Sequence, residues 1–253
     1  MSRHFPHEKL DVYRVTLEFV PLAHKLLGVW SSSWAVCNQF DRATESILIN
    51  IAQAARFRGT PKGIFLLECC LGSVLECAAC LDVAFLRHLV NNDTIHEAKQ
   101  ILQRIARMTV GLRAAWEGNV MEEGEPYQTT TRKYFLHENL DVYQRSLQLH
   151  AELDRIWCNN KIIKRYTKRI DELTTGLTLN IAEGNGRFSS LDHRKFIDIA
   201  KDAGTKLSVC LDIVEVSCPM HIGSARDSLR AVMAMLAGLS SHLQVAPNPN
   251  RSP

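Results

Sequence analysis

HEKLDVY at residues 7–13 returns as HENLDVY at residues 137–143, with six of the seven letters unchanged. The offset of 130 residues holds elsewhere without a gap. Asn50-Ile51-Ala52 returns as Asn180-Ile181-Ala182, Cys80-Leu81-Asp82 as Cys210-Leu211-Asp212, and Asp41 and Thr44 as Asp171 and Thr174. Separated blocks that share one offset point to a tandem duplication, and a repeat of this kind constrains the whole fold. The period is far too long for a solenoid, so each copy is expected to be a domain with its own core. A chain of 253 residues has room for two such cores.

Both copies read as helical throughout. In the first helix of copy one, Leu10, Tyr13, Leu17, Val20, His24 and Leu27 recur three and four apart, the seam of an antiparallel bundle. Copy two offers Leu140, Tyr143, Leu147, His150, Leu153 and Trp157. Pro21 falls inside the first pattern and should bend that helix. The alternation of half-buried strands is missing. Four helices per copy follow, at about 8–28, 38–57, 62–90 and 93–116, then 138–158, 162–184, 190–216 and 222–243. The predicted fold is all-α, two tandem antiparallel four-helix bundles joined by a linker. Copy one covers 1–117, a Gly-, Pro- and Thr-bearing linker 118–136, copy two 137–244, and a Pro/Asn-rich tail 245–253 is expected to be disordered.

One stretch, Ile64 to Leu86, is apolar enough to suggest a membrane span. It carries Glu68, Glu76 and Asp82, and a central carboxylate costs about 2.5–3.5 kcal/mol on insertion. A helix buried on several sides of a soluble domain is the better expectation. No secretory leader precedes His7, so a cytoplasmic, reducing setting is expected for the eight cysteines. Cys69 and Cys80 would stand about 16 Å apart along a helix at 1.5 Å per residue, too far to share an ion. Cys77 and Cys80 could give two ligands, but no second pair completes a tetrahedral set. No metal and no cofactor are predicted.

Asn50 and Asn180 fall on the core seams of their helices, where a paired Asn can fix register. Gly184 and Gly186 follow Asn180 and Glu183 and are expected to close the helix in the left-handed conformation. Charge is unevenly spread: net +2 over residues 1–120, −3 over 121–130 and +4 over 131–253. In KIIKRYTKR, Lys161, Lys164, Arg165, Lys168 and Arg169 take helical positions i, i+3, i+4, i+7 and i+8. Like charges stacked in this way repel, and neutralising phosphates relieves them with release of counterions. Arg187, Arg194 and Lys195 are expected to extend the patch. No aromatic is interleaved with these cations, so base readout is not indicated.

LDVYQRSLQL and LTLNIAEGNGRFSSLDHRKFIDIAKDA resemble the four-helix-bundle proteins encoded in intervening sequences of bacterial 23S ribosomal RNA genes. That family includes the accessory variability determinant of diversity-generating retroelements. Its pattern is L-x-V-[WY] in the first helix, an N-I-A-E-G-x-G-R turn, and a phenylalanine in the third helix. Copy two carries it at Leu140, Val142, Tyr143, Asn180 to Gly184, Gly186, Arg187 and Phe196. Copy one keeps Leu10, Val12, Tyr13, Asn50 to Ala52 and the LGSVLE of Leu71 to Glu76, but has Gln53, Ala54, Ala55 and Arg56 in place of the turn. The resemblance implies a non-enzymatic bundle that assembles into a ring and, in the retroelement branch, binds a reverse transcriptase and its RNA.

No P-loop, H-E-x-x-H, G-x-S-x-G or inward E-x-x-H pattern points to catalysis. The expected function is a non-catalytic, oligomerising adaptor that binds RNA through the copy-two basic face, with a reverse transcriptase as a further partner. The rival from another class is a structural scaffold whose basic stripe meets an acidic protein surface.

Overall fold

The computed structural model describes residues 5–118, 134–158, 164–217 and 222–245. Most of the 118–136 linker, and the tail after Val245, lie outside them. The described residues form eight α-helices and no strand, as an all-α chain should. They are α1 Asp11–Val29, α2 Ala35–Arg56, α3 Pro61–Leu86, α4 Asn92–Trp116, α5 Asp141–Cys158, α6 Lys164–Asn185, α7 Ser190–Ser217 and α8 Gly223–Val245. The chain divides into two compact units, Met1–Asn139 and Leu140–Pro253.

In the first unit each helix packs on the next and α1 closes the ring on α4. Its core gathers Phe19 from α1, Phe40 and Ile47 from α2, Leu67 and Leu75 from α3 and Leu102 from α4, all fully buried. Each such side chain contributes about 1.5–3 kcal/mol on burial. Phe19 and Trp30 both lean on the Phe40 ring, with centroids 6.0 and 5.0 Å away. This aromatic centre corrects the seam expected for α1. The buried face is Val12, Val15, Phe19, Ala23 and Leu26, while Leu17 and His24 are exposed. Two apolar faces of α1 compete on periodicity, and the one bearing Phe19 buries more area. The helix is continuous through Pro21.

Small residues let α2 and α3 approach closely. Gly72, Ser73, Cys77, Ala78, Ala79 and Cys80 of α3 are buried, and from Cys70 to Ala84 only Glu76 and Asp82 retain part of their exposure. The helix is long and apolar enough to cross a membrane, but 72% of its apolar window is buried inside the structure, which is how a core helix is placed. Its N-terminus is set by Pro61 and by Thr60, whose hydroxyl accepts from the Gly63 N–H at 3.2 Å. Gly59, at φ +71°, makes the turn from α2.

The second unit repeats the ring, with each of α5 to α8 packed on the next and α5 on α8. Its core includes Tyr143, Leu149, Ile170, Leu177, Ile197, Leu207 and Val232. Along α7 the buried positions are Ile197, Ala200, Gly204, Leu207, Leu211 and Val214. Ile199, beside this face, is 40% exposed.

A candidate nucleic-acid interface and a buried ion cluster

The basic run straddles the start of α6. Lys161 lies outside the described residues, as do the side chains of Lys164 and Arg165. Lys168 and Arg169 are exposed on the next turn of the helix. Arg169 faces Glu172 at 3.5 Å, with both side chains about half exposed. An open pair of this kind is held weakly, by about 0–1 kcal/mol, and leaves the guanidinium free to exchange partners. Lys195 is exposed on α7, while Arg194 reaches Asp198 at 3.7 Å.

Arg187 is placed differently from the rest of the expected patch. Its side chain is only 8% exposed, pairs with Glu183 at 2.5 Å and lies over the Phe196 ring at 4.5 Å. It fastens the α6–α7 corner and presents no charge to solvent. Burial raises the Glu183 carboxyl above its ordinary range, and the neighbouring guanidinium offsets part of that rise. Gly184 and Gly186 also correct the expectation. Neither is left-handed, and Gly184 lies within the last turn of α6. A Cβ at Gly184 would stand 3.0 Å from Phe196 Cβ and 3.2 Å from His193 Cδ2. Close packing of α7 against α6 therefore requires this glycine. Asn180 donates to the Gly176 carbonyl of its own helix at 2.6 Å. Asn50 donates to Ser46 Oγ at 3.0 Å, and Ser46 shares a 2.8 Å hydrogen bond with Ser73, so Asn50 links α2 to α3.

Sequence reasoning missed the most highly charged buried site. Lys99 of α4 donates to Asp82 Oδ1 of α3 at 2.5 Å and to Glu138 Oε1 at 2.8 Å. The three side chains are 6%, 17% and 8% exposed. Glu138 Oε2 also accepts from the Tyr134 N–H at 2.8 Å, so one carboxylate both caps the turn at Leu136–Asn139 and holds the lysine. In the matching turn at Pro6–Lys9, Glu8 caps Phe5 N at 2.9 Å and is bound on the exposed side. Burial by itself would lower the Lys99 pKa, but the Asp82 and Glu138 carboxylates outweigh it and hold the ammonium charged above its ordinary range. Burial pushes the Glu138 carboxyl up, with Lys99 opposing. The available signal was a lysine at 99 inside the apolar stripe Ala98, Leu102, Ile105 and Ala106 of α4.

Asp82, His137 and Glu138 bring ligand atoms within 4.8 Å of one another. The Lys99 ammonium already sits against both carboxylates, so these two are satisfied by a protein cation. Cys77 and Cys80 are fully buried and their thiols are pushed up chiefly by burial. Thiolate, the metal-binding form, is disfavoured there.

His137 is fully buried and stacks on Phe135 at 5.8 Å, as His7 stacks on Phe5 at 5.6 Å. Burial, and then the Lys99 charge, hold its pKa well below the ordinary histidine value. A depressed histidine contributes stability above the unfolded pKa of about 6.5 and loses it as pH falls. The first unit should therefore weaken on acidification from about pH 6.5 by up to about 1.4 kcal/mol per pH unit. Glu138, with a raised carboxyl, works in the opposite direction, so comparison with His137→Phe isolates the histidine. The wild-type urea midpoint should fall relative to that of H137F as the pH is lowered through this range. Parallel curves would show that His137 is not the acid-sensitive group.

Residues 8–111 match the family model described as 23S rRNA-intervening sequence protein. The similarity to that family lies within the first unit. Neither the curated proteins nor the solved structures contain a match to the chain. The matched span covers α1 to α3 and most of α4, the half that lacks the E-G-x-G turn but keeps the L-x-V-Y, N-I-A and LGSVLE segments. Those segments are largely packing residues: Val12, Ile51, Leu71, Gly72, Ser73, Val74 and Leu75 are all buried.

Proposed function

We propose that this chain is a non-catalytic helical-bundle adaptor that binds RNA by neutralising phosphates with the basic start of α6. The observation that carries this reading is the register of that run. Positions 164, 165, 168 and 169 share one face of α6 by spacing, and the last two are exposed. Lys168 has no carboxylate partner among the described residues, and Arg169 has only an open one. Lys195 adds an exposed cation on α7, where α6 packs. Similarity of residues 8–111 to a family described by an rRNA intervening sequence supports RNA as the polyanion. The resemblance described above adds self-association and a reverse transcriptase as protein partner, and the two units are taken as copies of one ancestral bundle.

The experiment is binding of a labelled structured RNA by the full chain at low salt, beside a K164A/R165A/K168A/R169A variant. Loss of four phosphate contacts should weaken binding by tenfold or more, with unchanged helicity by circular dichroism. Equal affinities would remove α6 from the interface. Wild-type protein that ignores RNA but binds an acidic polypeptide would favour the scaffold reading.

A further inference from the structure

A second cationic surface lies in the first unit, in the turn from α2 to α3, where the sequence runs RFRGTPKGIF from Arg56 to Phe65. Arg56, Arg58 and Lys62 are all exposed. No acidic residue occurs between Glu45 and Glu68, and Glu68 is engaged by Arg113 at 3.1 Å. Three other arginines of this unit have carboxylate partners, Arg14 with Asp11, Arg104 with Glu18, and Arg113 with Glu68 and Glu117, whereas Arg42 reaches the Gln39 amide and Arg107 is a lone exposed cation on α4. None of the three turn cations has one among the described residues.

The turn is rigid rather than loose. The Phe57 carbonyl accepts from Thr60 N at 3.0 Å and from the Thr60 hydroxyl at 2.7 Å. Thr60 in turn caps α3, and Phe57 packs on the buried Ala54, Leu66 and Leu67 cluster together with Leu112 and Trp116. Lys62 Nζ lies 4.0 Å from the Phe57 ring centroid, and Arg56 lies 5.8 Å away. The ring thus places two of the cations by their quadrupole attraction. Phe65 stands one helical turn beyond Lys62 on the same face, 52% exposed. Preorganised cations beside an exposed aromatic are what a single strand of nucleic acid uses: phosphates for the charges and a base to stack. A duplex would satisfy the cations but leave Phe65 without a partner. An acidic protein surface would make no use of the ring.

We propose that the α2–α3 turn of the first unit is a binding site for single-stranded nucleic acid, with Arg56, Arg58 and Lys62 on the phosphates and Phe65 stacked on a base. It is a site separate from the α6 face and does not depend on it.

The test uses the full chain and a fluorescent single-stranded 20-nucleotide oligouridylate, a duplex of the same length, and polyglutamate. R56Q/R58Q/K62Q keeps the aliphatic stems on Phe57 while removing the charge. Three lost contacts to a single strand should make the slope of log affinity against log salt shallower by about 2 and weaken binding at least tenfold. F65A should weaken the single strand by about fivefold or more and leave duplex binding unchanged. If the triple variant binds oligouridylate as wild type does while the α6 variant loses binding, the turn site is wrong and the α6 reading stands. Loss of oligouridylate binding in the triple variant with an unaffected α6 variant supports the turn as the single-strand site. No binding of oligouridylate by wild type at low salt overturns the turn site, and a triple-variant loss confined to polyglutamate assigns the turn to a protein partner and likewise overturns it.

Discussion

Lys99→Met should destabilise the first unit by about 3–5 kcal/mol at neutral pH, the range for removing one partner from a buried ion pair. The substitution keeps the volume and apolar stem but leaves Asp82 and Glu138, 17% and 8% exposed, facing each other without a cation. The loss should shrink as pH falls. In the variant the Glu138 carboxyl, already pushed up by burial, loses the lysine that opposes that rise, so its penalty acts above the folded pKa and disappears once it protonates. Converting the whole cluster with K99M/D82N/E138Q should recover most of the stability. No buried charge remains in that variant, and the side-chain amide oxygen placed at position 138 can still accept from Tyr134 N. Urea denaturation followed by tryptophan fluorescence suits the measurement, since Trp30, Trp34 and Trp116 of the four tryptophans lie in this unit. A change below 1 kcal/mol for K99M would mean that the pair is hydrated in solution.

Gly63→Ala should cost about 3 kcal/mol, near the top of the usual range for overpacking. A Cβ there would stand 2.2 Å from the Phe57 carbonyl oxygen and 2.9 Å from its carbon. Both are backbone atoms of the turn, so relief requires the end of α2 and the start of α3 to separate. The gain in helix propensity from glycine to alanine, about 1 kcal/mol, offsets only part of that. Gly204→Ala provides the contrast. Its Cβ would meet Met233 Sδ at 2.3 Å, but the methionine can change rotamer, and the cost should stay under about 1 kcal/mol. Equal thermal shifts for the two variants would show that the turn yields as readily as a side chain.

Helix periodicity revealed all eight helices, and the all-round apolar character of Ile64 to Leu86 revealed that α3 is buried on several sides. Periodicity could not choose between the two apolar faces of α1, because that choice depends on the Phe19–Phe40–Trp30 packing between helices. Gly184 was read as a local backbone signal, whereas its cause is the approach of Phe196 and His193 from α7. Charge runs were legible only as runs. Arg187 and Lys168 look alike in sequence, yet one is fastened to Glu183 and the other is open to solvent. The Lys99 cluster depends on a carboxylate 39 residues away, in a turn whose sequence resembles Pro6–Lys9, where Glu8 caps the chain at the surface.

The most direct test of the RNA-binding reading is the salt dependence of that binding. Affinity of the full chain for a structured RNA, measured from roughly 50 to 200 mM salt, should fall along a straight line in log affinity against log salt. Phosphate neutralisation by the α6 run gives a slope of about −4 or steeper, reduced by about 3 in K164A/R165A/K168A/R169A. A flat line, or a slope that the four substitutions leave unchanged, would contradict a phosphate-binding role for α6.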